Sequence, residues 1–339
     1  MVWTEDLLND LLTTPSEGLV ADVKRIRGDI MILGAGGKMG YTLAVLAKRA
    51  VEAAGVSKRV IAVSRFSDAY AKDYLLKQGV EIISCDLFDK EALLALPDVE
   101  NIIYMAGRKF GTDGEEWRTW GMNATLPAFV AERFKGASFV VFSSGNVYSM
   151  AKLNGAPSPE EERVVPMGEY PMSVLARERV FEHAANTYGT KVLIFRLSYA
   201  IDLRYGVMYD MARNILEGNP IRISTPAFNC IWQGSANEYA IRSLLLAESP
   251  ARILNVSGPE TLYVKRCAML LGKYLGKEPS FIGEEKDDAY VLDTLTAHEL
   301  FGYPKYPAAT LLKWQAEWLL AGGRVLDKPT HFEERGGSY

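Results

Sequence analysis

Tyr148 and Lys152 stand four residues apart in the stretch SSGNVYSMAK. A free phenol titrates at about 10, so it exchanges a proton at neutral pH only beside a cation. A lysine one helical turn away can be that cation. A serine hydroxyl from a strand end, here Ser144, can hold the oxygen that reacts. Such a set does acid–base work on a hydroxyl or carbonyl group. It works only if tyrosine and lysine project from one stable helix. Gly155, Pro157 and Pro159 follow almost directly and rule out a helix of useful length. Tyr148 and Lys152 therefore copy the spacing where nothing can hold it.

A second chemical feature lies nearer the start. Gly34, Gly37 and Gly40 form G-x-x-G-x-x-G between a short apolar run and a helix expected from about 38 to 54. Glycines there allow a tight turn and close backbone approach to a pyrophosphate, and the helix start offers free N–H groups and a positive dipole end. The turn, with Lys38 and Met39, reads as a dinucleotide cradle. A triphosphate loop is excluded, because Met39 occupies its Ser/Thr place. The next apolar run, VIAVSRF, ends in Ser64 and Arg65 rather than in an acidic residue. A hydroxyl and a forked guanidinium suit a 2′-phosphate, which favours NADP over NAD.

Strand-like and helix-like segments alternate to position these groups. DIMIL, RVIAVSRF, VEIISCDLF, VENIIYMAG, ASFVVFSS, KVLIFRLSYA and ARILNVSG read as strands; AYAKDYLLKQG, KEALLAL and a long segment over about 115–135 read as helices between them. The expected fold is α/β: a Rossmann-like doubly wound parallel sheet with a smaller C-terminal substrate-binding lobe. Residues 1–28 form an N-terminal helical extension packed on the main domain. Residues 29–198 with about 229–256 form the nucleotide-binding domain, about 199–228 with 257–330 the substrate lobe, and 331–339 a flexible tail. The region 150–169 reads as loop.

GAGGKMG, CDL (85–87), NIIYMAG, NAT (123–125) and VVFSSGNVY occur in order and at matching distances. Together they resemble the extended short-chain dehydrogenase/reductase family, of the NAD-dependent epimerase/dehydratase type, over about residues 29–320. The resemblance implies that Asp86 and Leu87 lie at the adenine, that Met105, Ala106 and Gly107 line the dinucleotide, and that Asn123 and Ser143 shape the site. It also moves the acid–base residue. The family's catalytic segment reads roughly Y-G-x-S-K-L-x-x-E, and YPMSVLARE matches it at Tyr170, Ser173, Leu175 and Glu178. Ser144 and Tyr170 are then the catalytic pair, and the lysine position holds Val174. Three readings of Val174 stay open. A substitute cation reaches Tyr170, with Arg177, Arg108 and Lys109 as candidates; or Tyr170 stays neutral and only donates a hydrogen bond; or redox chemistry is lost and a cofactor-binding sensor or scaffold remains.

On the substrate side, Tyr199 stands where nucleotide-sugar epimerases carry an Asn, and the Arg they use on substrate phosphates is not evident. Arg108, Thr112, Tyr199, Arg204 and Trp232 are the candidate substrate contacts. Aromatic and cationic groups together suit a small polar, sugar-derived ligand. A serine hydrolase is disfavoured, since G-x-S-x-G is absent. With 38 Lys and Arg against 42 Asp and Glu, net charge is −4, and no basic surplus exists to hold nucleic acid. No apolar run reaches the roughly 18 residues of a membrane span, and the start lacks a signal-peptide pattern. Three scattered cysteines and three separated histidines point to no metal and to a cytoplasmic setting. Family members often pair as homodimers through two helices, here about 115–135 and 170–188, with Ala124, Phe129, Val130 and Phe134 as possible contacts.

Overall fold

The computed structural model of the chain describes residues 2–337. Seven strands form one parallel sheet: β1 (Ile30–Leu33), β2 (Val60–Ser64), β3 (Glu81–Ser84), β4 (Asn101–Tyr104), β5 (Ser138–Ser144), β6 (Lys191–Leu197) and β7 (Arg252–Val256). Their order is β7-β6-β5-β4-β1-β2-β3. Ile30 pairs with Val60 on one side and with Asn101 on the other. Helices cover both faces, so central strands such as β1 and β4 are buried throughout, and β1 reads as an unbroken apolar run. The edge strand β3 exposes Glu81 and Ser84. The chain runs outward from β1 to β3 and then returns to β4 on the far side of β1. Strand order reverses there, and the crevice above the C-terminal ends of β1 and β4 is where open α/β sheets take ligands.

Two long helices hold that crevice. Helix Gly40–Ala54 follows the glycine turn, buries Leu43, Leu46, Ala47 and Ala50 on one face of the sheet, and ends at Gly55 with φ 64°. Helix Glu169–Tyr188 lies on the other face, where Phe181 packs on Tyr104 and Phe139 with ring centroids 5.4 and 5.0 Å apart.

Several sequence expectations need correction. The segment 115–135 is not one helix. It divides into Glu116–Trp120, a π-helical turn Gly121–Thr125 and Leu126–Arg133. Pro127 lacks an N–H, and its ring crowds the carbonyl four residues earlier, on Asn123; the wider turn resolves that crowding. Val130 and Phe134, offered as dimer contacts, are sheet-facing core residues. The N-terminal extension does not sit on the main domain alone. Leu19 and Val23 join the sheet core, whereas Trp3, Leu8 and Leu12 join the second lobe beside Met208 and Trp318. Loop 150–169 contains a two-residue strand, Ala151–Lys152, paired with Asp288–Ala289. Helix Gln233–Arg242 was hidden in the sequence because its inner face is polar: Gln233 and Asn237 both donate to Thr42 Oγ1, at 3.1 and 3.0 Å.

The largest correction concerns the C-terminus. Residues 331–337 are packed, not free; Ser338 and Tyr339 lie outside the described residues. Phe332 is buried near Phe228, Thr225 donates to the Glu333 carbonyl at 3.3 Å, and Arg335 donates to the Ser224 carbonyl at 3.1 Å. Gly337 lies so close to Gly168 that a Cβ added at Gly168 would come within 2.5 Å of the Gly337 carbonyl oxygen. Among the described residues no helix is long and apolar enough to cross a membrane.

Candidate active site

A cavity of about 380 Å³ opens above the β1–β4 switch point, between the sheet and the second lobe. The glycine turn forms one wall. Gly34 has φ 94°, and a Cβ there would meet the Ala106 backbone nitrogen at 2.6 Å. A Cβ on Gly40 would meet Ala35 Cα at 2.7 Å. These two glycines let the turn press against β4 and the helix start against the turn, while Gly37 faces the cavity. The helix begins at Gly40 with no side-chain cap and no acidic residue in its first turn. An uncapped, uncrowded helix start beside a glycine cradle fits a dinucleotide pyrophosphate.

The opposite wall carries Ser143, Ser144 and Tyr170. Ser144 closes β5, and its Oγ donates to Asn146 Oδ1 at 2.9 Å. The Ser144 hydroxyl lies close enough to the Tyr170 hydroxyl to influence its titration. Burial raises the Tyr170 pKa above its ordinary value, while the Arg177 charge and the Ser144 hydrogen bond pull it the other way. Arg177 also lines the cavity. Its Nη1 donates to the Phe142 carbonyl at 2.8 Å and its Nη2 to Asn123 Oδ1 at 2.6 Å; its Nε is buried with no partner among the described residues.

Asn123, on the π-helical turn, clamps the loop after β4. It accepts from the Arg108 N–H at 2.9 Å and donates to the Arg108 carbonyl at 2.8 Å and to Ser173 Oγ at 3.0 Å. That clamp directs Arg108 and Lys109 to the cavity. The Lys109 ammonium lies 5.7 Å from the Tyr170 ring centroid and donates to the Thr330 carbonyl at 3.3 Å. Burial pushes its pKa down to about 8, against the opposing pull of Asp210 and Glu333. Lys38 reaches across from the glycine turn to lie 3.1 Å from the centre of the Tyr205 ring, and burial holds its pKa well below the usual lysine range. Tyr199 lines the second-lobe side with φ 40°, a left-handed conformation that a non-glycine residue rarely adopts.

Fourteen of the residues expected from the sequence share this cavity: Gly34, Gly37, Lys38, Met39, Gly40, Met105, Gly107, Arg108, Lys109, Ser143, Ser144, Tyr170, Arg177 and Tyr199. Others stand behind it. Ala106 backs Gly34, and Ser64 backs Gly36. Arg65 and Asp86 lie at the ends of β2 and β3, exposed and 3.9 Å apart, with Leu87 buried beside them. Three expected substrate contacts are corrected. The Arg204 guanidinium is fully buried and taken up by Asp202, Glu5 and Asn9. Trp232 is core, edge-on to Tyr306 and Trp314. The Thr112 hydroxyl is spent on Thr119 and the Lys109 carbonyl. Among the lining residues that sequence reasoning missed are Tyr205, Lys328 and Thr330. The last two follow the final helix, just before the expected tail, where no local pattern announces them.

Tyr148 and Lys152 are not together. The Tyr148 hydroxyl is buried, donating to Asn255 at 2.9 Å and accepting from Arg196 at 2.6 Å. Lys152 is exposed and paired with Asp287 at 2.7 Å. Val174 is buried with Val147, Tyr148 and Leu292.

A glycine-cradled crevice at the switch point of a seven-stranded parallel sheet, facing a serine–tyrosine pair, defines a dinucleotide-binding enzyme of the short-chain dehydrogenase/reductase type. The chain belongs to the NAD dependent epimerase/dehydratase family, whose sequence profile matches residues 30–236. Its fold is similar to that of UDP-glucuronic acid 4-epimerase from Bacillus cereus in complex with NAD, at 16% identity over 86% of this chain and 98% of that one, with a TM-score of 0.70. It is also similar to UDP-glucose 4-epimerase from Thermotoga maritima (21% identity, 87% and 99% coverage, TM-score 0.68) and to dTDP-glucose 4,6-dehydratase from Bacillus anthracis in complex with NAD (15%, 87% and 97%, TM-score 0.73). No curated protein matches the sequence.

Proposed function

We propose that this protein is an NAD(P)-dependent oxidoreductase or epimerase acting on a hydroxyl or carbonyl of a small, sugar-derived substrate. The observation that carries this is the Tyr170–Ser144 pair facing the glycine cradle across one cavity. A nicotinamide ring, when bound, supplies the hydride acceptor or donor. Gly34, Gly37, Met39, Met105 and Gly107 would hold the dinucleotide, with Ser143 shaping the wall beside it. Ser144 orients the substrate oxygen, and Tyr170 holds the proton that oxygen gains or loses. Arg177, with Lys109 near the ring, stands in for the lysine that Val174 replaces. The test is nicotinamide reduction or sugar interconversion by the purified protein across UDP-glucose, UDP-glucuronic acid, dTDP-glucose and free sugar acids. Turnover with any of these supports the reading. Tight cofactor binding with no turnover supports the second reading, a catalytically reduced sensor or scaffold, which the raised Tyr170 pKa and the absent lysine favour.

NADP is the favoured cofactor, because Arg65 stands exposed at the end of β2, with Asp86 as a loose partner. Arg65→Ala is expected to weaken NADP+ binding about tenfold, the worth of one charge-assisted contact, and to leave NAD+ within about twofold. Calorimetric titration with each dinucleotide checks this, and equal losses for both would remove Arg65 from the 2′-phosphate site. Two further parts of the proposal have their own support. Trp117 and Met172, exposed on the two helical segments expected at a dimer interface, support homodimerisation. Three buried, unpaired cysteines support a reducing, cytoplasmic setting.

A further inference from the structure

Residues 326–337 follow the last helix, Ala308–Leu320, and contain neither helix nor strand, yet they are fastened along their length. The Leu326 N–H donates to the Arg204 carbonyl at 2.9 Å, and Asp327 pairs with Arg213 at 2.6 Å. Asp210, on helix Val207–Glu217, accepts the Thr330 N–H at 2.8 Å together with the Thr330 hydroxyl. Phe332 is buried near Phe228, and Arg335 donates to the Ser224 carbonyl and to the Asp288 carboxylate. These anchors lie within residues 204–228 and at Asp288.

At two points the same segment meets residues of the candidate site instead. The Lys109 ammonium donates to the Thr330 carbonyl at 3.3 Å. Gly337 packs on Met167 and Gly168, directly before helix Glu169–Tyr188. That approach is backbone on backbone. A Cβ on Gly337 would overlap the Met167 carbonyl oxygen, and one on Gly168 would come within 2.5 Å of the Gly337 carbonyl oxygen. Both glycines also have positive φ, 81° and 85°, so each position excludes a side chain by space and by conformation. Tyr170 is the second residue of the helix that starts there, and the Gly168 carbonyl accepts the Met172 N–H at 3.1 Å. The first turn of a helix lacks intrahelical partners for its N–H groups, and its place depends on contacts from outside. Gly168 supplies no side-chain cap, so the backbone of Gly337 is the contact at this start.

We propose that Thr330 and Gly337 are positioning residues of the candidate active site. Thr330, fastened by Asp210, holds the loop that carries Lys109, and Gly337 seats the first turn of the Tyr170 helix. The docked segment ties both to residues 204–228, beside the cavity wall that Lys328 and Thr330 join. This rests on the preceding reading for the chemistry of Tyr170, and on the contacts alone for the geometry.

The test is hydrogen–deuterium exchange of the full-length protein, read by mass spectrometry of its peptides, in Gly337→Ala beside Gly336→Ala. Gly336 is exposed, and a Cβ there meets only the flexible Glu334 carboxylate, at 3.1 Å, so the second variant leaves the docking in place. In Gly337→Ala the amides of residues 172–175 are expected to exchange about tenfold faster, because the first turn opens more often. Peptides of β1, β4 and helix Gly40–Ala54, and the unfolding midpoint, are expected to match the wild type. Gly336→Ala is expected to match it throughout. Thr330→Val, which deletes the hydroxyl bond to Asp210, is expected to speed exchange over residues 105–112 about threefold. Where the wild type turns over a substrate, Gly337→Ala should lower kcat about tenfold and leave NADP+ affinity within about twofold. Wild-type exchange over 172–175 in Gly337→Ala, equal acceleration in Gly336→Ala, or acceleration of every peptide alike overturns the proposal. Unchanged kcat beside faster exchange overturns it too, and unchanged exchange over 105–112 in Thr330→Val removes Thr330 from it. Absent turnover in the wild type sinks the preceding reading and leaves the exchange result standing, so the two failures are distinct.

Discussion

Tyr170→Phe is expected to lower turnover by roughly 10²–10⁴-fold, the range for removing a positioned general acid or base. The change deletes one oxygen from a wall that otherwise stays in place. The ring keeps its packing against the apolar cluster of Val147, Tyr148, Val174 and Leu292, and Ser144 keeps its hydrogen bond to Asn146. Cofactor affinity and the unfolding midpoint should therefore hold, so the loss falls on kcat. Burial raises the Tyr170 pKa, and at neutral pH the hydroxyl carries its proton. A protonated phenol is ready to give a proton to a carbonyl oxygen. The reverse direction needs the phenolate, which Arg177 and the Ser144 hydrogen bond both favour. Steady-state rates of the Phe variant, measured beside its NADP+ affinity, check the assignment. Full turnover would remove Tyr170 from the chemistry and leave the proton work to other groups in the lining.

The sheet was legible because a strand buried on both faces has to be apolar through its middle, and IMIL and the FVVF of SFVVFSS obey that without help from the rest of the chain. The glycine turn was legible for a similar reason: Gly34 meets the backbone of Ala106, and only glycine fits there. Contacts made across large sequence distances were not legible. Arg204 and Trp232 were plausible pocket residues by type, yet each is consumed by partners that local sequence cannot reveal, Asp202 and Glu5 for the first and Trp314 for the second. Lys328 and Thr330 reach the cavity on a segment that Asp210, on a helix more than a hundred positions earlier, fastens through the Thr330 backbone. A polar segment running into an expected loose tail gives no sign of that anchor. The π-helical turn escaped as well, although Pro127 was its visible cause. It matters because it carries Asn123, whose four hydrogen bonds set both Arg108 and Arg177.

Restoring the lysine that the family pattern asks for is expected to harm this protein. Val174 is 1% exposed, in a cluster of aliphatic and aromatic side chains where none of the members carries a charge. An ammonium placed there either stays charged without a counter-ion or gives up its proton, and both options cost folding free energy. Arg177, one turn further along the same helix, already supplies a cation to Tyr170 and would repel a second. Val174→Lys should therefore destabilise the fold by about 3–5 kcal/mol, the size of an uncompensated buried charge. Val174→Met, which adds volume without charge, should cost about 1–3 kcal/mol from overpacking. Urea unfolding of the two variants separates the terms, since only the lysine carries the charge penalty. Turnover should not rise in Val174→Lys. A variant with an unchanged midpoint and faster turnover would mean that the pocket beside Tyr170 still accepts a lysine, and that Arg177 had not taken over its task. Arg177 itself points to the expected outcome: its guanidinium is tied to Phe142 and Asn123, so the cation near Tyr170 is built into the loop and strand that form the cavity.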